Sequence, residues 1–178
     1  AAGGGATLTI DNATAGGSIT LLTGAKGATV SAPLILADNL TVTNQAVTNT
    51  LAITGGITGT GNIVLKAATT GPITLSTGSI NNTGSITNNG AGAAGVTISS
   101  AIGANVTGVI QNTTTSALIL SGDNSSFAGG VTLQAGSLSL SNAAALGTAA
   151  LTIGGGTLTS GVANLTLSTN SAQNWNGD

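Results

Sequence analysis

The runs Ala117-Leu118-Ile119-Leu120-Ser121, Ser137-Leu138-Ser139-Leu140-Ser141 and Thr157-Leu158-Thr159-Ser160 decide how this chain folds. In the second and third, aliphatic side chains alternate with hydroxyls, so one face of an extended segment is apolar and the other polar, as in a half-buried strand. Leu118, Leu138 and Leu158 stand 20 residues apart. Going upstream, Val96, Ile73 and Ile53 continue the series at spacings of 22, 23 and 20, and Leu34 and Ile10 extend it more loosely at 19 and 24. A second series lies between these positions, at 18–22, 39–43, 62–66, 108–112, 130–134, 150–153 and 164–167. Two or three short strands per 20–24 residues is the repeat length of one solenoid coil. The expected fold is therefore all-β, a parallel β-solenoid (β-helix) of about eight rungs. One coil encloses nothing, but stacked coils align their inward Leu, Ile and Val into continuous columns. An antiparallel sandwich or barrel would need tight Asn-Gly turns between clean strands, and Asn89-Gly90 lies instead in a Gly/Ala-rich stretch. Helical spacing is nearly absent; Asn142–Leu146 is the best candidate for a single turn.

Composition agrees with this reading. Charged residues make up 3% of the chain, against roughly 25% in ordinary domains. Glu, Arg, His, Cys, Met and Tyr are all missing. About a quarter of the residues are Leu, Ile, Val or Phe and the formal net charge is −2, so the chain should collapse rather than stay disordered. Stacked coils place equivalent residues ~4.8 Å apart. Like charges at that spacing repel, whereas Thr, Ser and Asn hydrogen-bond along the ladder. Two lysines give no footprint for a phosphate backbone, which argues against nucleic acid as a partner. No apolar run approaches the ~18–20 residues of a membrane-spanning helix, so direct membrane insertion of this segment is not expected. Ala1-Ala2-Gly3-Gly4-Gly5 does not have the form of a signal peptide. Residues 1–178 therefore read as a single solenoid segment excised from a longer chain.

Residues 117–159 carry a recognisable pattern. Leu118, Leu120, Gly122 and Asn124 are followed by Phe127, Gly129-Gly130 and Gly136. Leu138 and Leu140, Ala145-Leu146-Gly147 and Gly155-Gly156-Thr157-Leu158 complete it. This resembles the passenger-associated transport repeat, or autotransporter-associated β-strand repeat, of bacterial autotransporters. Upstream, Ile57–Gly61 and Ile80–Ile86 resemble the looser rungs that precede such repeats, and Asn174–Gly177 resembles the start of another unit. The resemblance implies a right-handed helix, exported across the outer membrane of a bacterium and secreted or displayed at the cell surface. It speaks to the stem of such a passenger. That family's export signal and membrane barrel do not occur in these residues.

Chemistry-bearing residues are few. Catalysis needs a proton-transfer group or an activated nucleophile, and only Asp11, Asp38, Asp123, Asp178, Lys26 and Lys66 are ionisable side chains. Asp11 and Asp38 could meet on adjacent coils as a carboxylate pair. Otherwise the acids are isolated, and no catalytic site, cofactor or metal is expected. Asp11-Asn12, Asp38-Asn39 and Asp123-Asn124 could supply oxygens to calcium, but read better as turns bonding their own backbone. Thr-x-Thr pairs at Thr7/Thr9, Thr41/Thr43, Thr48/Thr50, Thr113/Thr115 and Thr157/Thr159 raise an ice-binding ladder, though they keep no fixed offset. Sequons at Asn12, Asn39, Asn81, Asn105, Asn112, Asn124 and Asn164 are what an Asn/Ser/Thr-rich chain produces by chance. Phe127 is expected to anchor neighbouring coils, and Trp175 to cover the last one or fray. Residues 78–95, with only Ile80 and Ile86 as large apolar side chains, are expected to be the least secured stretch. The expected role is a structural stem or self-associating adhesin segment, with solenoid ends or faces as contacts. A glycan- or ice-binding surface is the alternative.

Overall fold

The computed structural model describes residues 5–169 and 171–177. Its described residues contain no helix, and every strand pairing is parallel. The strands form three long sides of a stack of about seven turns, a β-solenoid. Side one holds β1 (Leu8–Ile10), β4 (Leu34–Leu36) and β7 (Ile57–Gly59), continued by single bridges from Ile57 to Ile80 and Ile80 to Ile102. Side two holds β2 (Gly17–Leu21), β5 (Leu40–Asn44), β8 (Ile63–Ala67), β10 (Ser85–Asn88), β12 (Gly108–Asn112), β14 (Val131–Ala135), β16 (Leu151–Ile153) and β18 (Gln173–Trp175). Side three holds β3 (Ala28–Val30), β6 (Leu51–Ile53), β9 (Ile73–Leu75), β11 (Val96–Ile98), β13 (Leu118–Leu120), β15 (Ser137–Leu140) and β17 (Thr157–Ser160).

The core follows from strand alternation. Along side two, Leu40, Ile63, Ile86, Val109, Val131 and Leu151 lie in one register column, and along side three Leu51, Ile73, Val96, Leu118 and Leu138 do the same. All are buried. Each such side chain withdrawn from water contributes about 1.5–3 kcal/mol before entropy is subtracted. The columns face one another across a single interior, so the cluster runs unbroken from Leu21 to Ile153.

The strand expectations need four corrections. Ile10 and Leu34 belong to side one, not to the column of Ile53 and Ile73; side three begins at Ala28–Val30. Their loose spacings come from joining two different sides of the coil. Residues 164–167 form no strand: Asn164 takes a left-handed backbone with φ 53°, and side two resumes at β18, 22 residues after β16. The gap from 150 to 164 is too short for a full coil. Asn142–Leu146 is a hydrogen-bonded turn rather than helix, because the Asn142 side chain accepts the Ala144 N–H at 2.8 Å. Residues 85–88, finally, form a strand, β10, that the expected series passes over, and Ile80, Asn82, Ile86 and Asn88 around it are buried. There Asn82 donates to the Gly61 carbonyl at 2.7 Å and Asn88 to the Ser116 carbonyl at 2.8 Å.

The coil shortens along the stack. On side two the register advances 23 residues at each step from Leu40 to Val109, then 22 to Val131, 20 to Leu151 and 22 to Gln173. Side one has by then already lost its strand, β7 being its last, and kept only single bridges to Ile102. The side chain of Asn124 takes over the backbone's role there: its Oδ1 accepts the Ile102 N–H at 2.9 Å, and its Nδ2 donates to the Ala145 carbonyl at 2.7 Å. A short polar side chain thus links the coils before and after its own.

Candidate functional surface

Asp38, half-buried after β4, accepts the backbone N–H of Asn12 at 2.6 Å and of Thr14 at 3.3 Å. It thereby holds the turn of the preceding coil, where Ala13 and Thr14 have φ of 46° and 77°, a conformation that costs L-residues roughly 1–2 kcal/mol. Asp123 accepts the Ser125 N–H at 3.0 Å within its own turn. Asp11 is exposed, next to β1, so it and Asp38 do stand on adjacent coils, where Asp38 is occupied in securing backbone. Asp178 lies outside the described residues. Lys26 is exposed in the link to β3, and Lys66 points outward from β8. Among the described residues no group of three or more His, Cys, Asp or Glu gathers.

The Asp-Asn pairs do more than close their own turns. Asn39 Oδ1 accepts the Asn62 N–H at 2.8 Å, and Asn62 Oδ1 accepts the Ser85 N–H at 2.8 Å. These amides climb the corner between sides one and two, coil by coil. Buried amides at the next corner were not legible as functional in the sequence. Asn44 donates to the Asn49 and Pro72 carbonyls, both at 2.8 Å, and Asn88 donates to Gln111 Oε1 and to the Ser116 carbonyl, also at 2.8 Å. Gln111 Nε2 in turn reaches the Thr113 and Ser116 carbonyls at 2.9 Å. Their one sequence signal is an amide at an inward strand position where an aliphatic is expected.

Phe127 is fully buried and packs against the following coil. Gly147, with φ 66°, lies under its ring; a Cβ there would stand 2.9 Å from the ring edge and collide with the Phe127 carbonyl. Thr148 N–H donates to that same carbonyl at 2.8 Å. Trp175 aligns with Ile153 in the last strand pair but is 65% exposed, so it neither covers the stack nor lacks a strand position.

The threonine pairs scatter. Thr9 is on side one, Thr41 and Thr43 on side two, and Thr157 and Thr159 on side three, while Thr48/Thr50 and Thr113/Thr115 lie in corners. Thr113 Oγ1 donates to the Gly90 carbonyl at 2.6 Å. The outward column of side two reads Ser18, Thr41, Val64, Thr87, Ile110, Thr132 and Thr152. Beside it, Ser85, Gly108, Gly130 and Ala150 form a furrow of small residues about 520 Å³ in volume. A second cleft of about 240 Å³ lies near the far end, lined by Leu140, Leu158, Leu165 and Leu167. No family model, curated protein or solved structure matches this chain.

Proposed function

We propose that the chain is a structural stem, or self-associating adhesive segment, of a secreted or surface-displayed bacterial β-helix of the autotransporter kind, without catalysis. The observation that carries this reading is the division of the coil. Its inward positions form a continuous aliphatic core joined at the corners by buried amides, and its outward positions are nearly all uncharged and either small or β-branched. Such a surface offers extended area and few reactive groups. The Phe127–Gly147 contact supports the transport-repeat resemblance, because it gives a packing reason for an aromatic and an Ala-Leu-Gly at those places. The furrow on side two is where a glycan chain would lie under the alternative reading.

The test is to place the segment between an export signal and an outer-membrane barrel in a Gram-negative host. The expected outcome is a protease-accessible chain at the surface and faster settling of the cells than with the barrel alone. Retention inside the cell overturns the stem reading, and display without any change in settling overturns the adhesive one. Glycan binding abolished by filling the furrow through Gly130→Val would replace both.

A further inference from the structure

Side three presents a surface that the Thr-x-Thr pairs do not reveal. Its outward central column, read through the strand register, is Ala52, Thr74, Thr97, Ile119, Ser139 and Thr159. Two residues further along each coil stand Thr54, Ser76, Ser99, Ser121 and Ser141. Among the described residues no register shift interrupts side three, whereas side two slips between Gln111 and Asn112. The columns therefore make a grid, with about 4.8 Å from coil to coil and about 6.6 Å along each strand. Thr and Ile are stiff at χ1, which holds much of the grid in place. No ionisable side chain occurs between Lys66 and Asp123, or between Asp123 and Asp178, so most of this face and its corners carry no charge. Ser99 and Thr159 turn toward carbonyls of the preceding coil at 3.4 Å, a long contact for a hydroxyl.

A two-dimensional grid is complementary to a ligand that itself repeats in two dimensions. A second copy fits poorly: the seven strands of side three, about five residues wide, cover roughly 450 Å², against about 800 Å² per partner in a stable interface. Sugars are gripped by aromatic platforms and directed polar groups, and these columns hold no aromatic, amide or charge. We propose that side three binds ice. Both spacings lie near oxygen repeats of the hexagonal ice lattice. The methyl groups of Thr and Ile order the water above them, and the hydroxyls fix it by hydrogen bonds. Water held in this way loses little further freedom on joining the crystal. The gain from one hydroxyl is small, but it recurs along the stack. Ile119 keeps the methyl and lacks the hydroxyl, which makes it the weak place in the grid. This goes beyond the stem reading, which does not depend on it.

The test uses the 178-residue polypeptide and a single ice crystal watched on a cooling stage. The expected result is faceted growth and a gap between melting and growth temperatures that widens with concentration. Thr97→Lys places a charge in the middle of the face and should close most of that gap, whereas Thr132→Lys, on side two, should leave it unchanged. Ile119→Thr completes the hydroxyl row from Thr74 to Thr159 and should widen the gap. The variants are compared at equal concentration, with β-type circular dichroism retained. An unmodified polypeptide around which ice grows as it does in buffer overturns the proposal. So does Thr97→Lys with the full gap, or an equal loss in Thr132→Lys. A concentration-dependent oligomer that Thr97→Lys dissolves gives the face to a second copy and also overturns it. Should Thr97→Lys fail to fold, Ile119→Thr still decides, because an unchanged or narrower gap there overturns the proposal.

Discussion

At Asn124 a side chain does what a strand does elsewhere, and the cost of removing it follows from what it leaves behind. Asn124→Ala strands the Ile102 N–H and the Ala145 carbonyl in the interior. Each unsatisfied buried group costs about 1–3 kcal/mol, so a loss of about 2–5 kcal/mol is expected in urea unfolding. Asn112→Ala, on an exposed side chain, should stay within about 0.5 kcal/mol. Gly147 gives a second test. Alanine there adds left-handed backbone strain to a clash with the Phe127 ring and carbonyl, and should cost about 2–4 kcal/mol, whereas Phe127→Leu should recover part of that loss when combined with it. Leu138→Ala opens a cavity in a fully buried column and should cost about 2–5 kcal/mol by the same measurement.

Among the elements, exposure of the edges decides which strands open first. In a stack where each coil contacts only its neighbours, local stability is not averaged over the molecule. Amides of β1, β2, β3, β17 and β18 should therefore exchange with solvent early, and those of β10 to β14 last. Early exchange throughout 78–95 would restore the ranking expected from aliphatic content alone and would mean that the Asn88–Gln111–Ser116 bonds contribute little. That stretch marks the limit of what the sequence makes legible. Side three and most of side two could be read from alternation and spacing, because Leu118, Leu138 and Leu158 repeat without insertion. Side one could not: its Leu34, Ile57, Ile80 and Ile102 stand in segments of one to three paired residues, too short for alternation to show. β10 (Ser85–Asn88) was hidden because its inward positions are Ile86 and Asn88, and only the structure shows the amide satisfied by the next coil. The isolation of the acids was plain in the composition, but not that Asp38 is spent on its neighbour's turn.

For the whole molecule, scarcity of charge sets the response to solvent. No His or Cys is present, the side chains that ordinarily titrate near neutrality. Few protons can then be exchanged on unfolding between about pH 5 and 9, and little is available for salt to screen. The urea midpoint should be nearly flat across that range and on moving from low to moderate salt. A marked slope with pH would overturn this. The stacking of coils through backbone hydrogen bonds has a mechanical consequence. Tension applied along the stack loads each inter-coil bond row in line with its bonds, so failure begins at an end and peels one coil at a time. Each event frees 20–23 residues of thread, about 65–80 Å of slack at full extension. The later coils, of 20–22 residues on side two, would yield the smaller increments. In a force spectrometer this protein is a graduated spool, and the change from 23 to 20 residues per coil is a scale engraved on it that tells from which end it is unwinding.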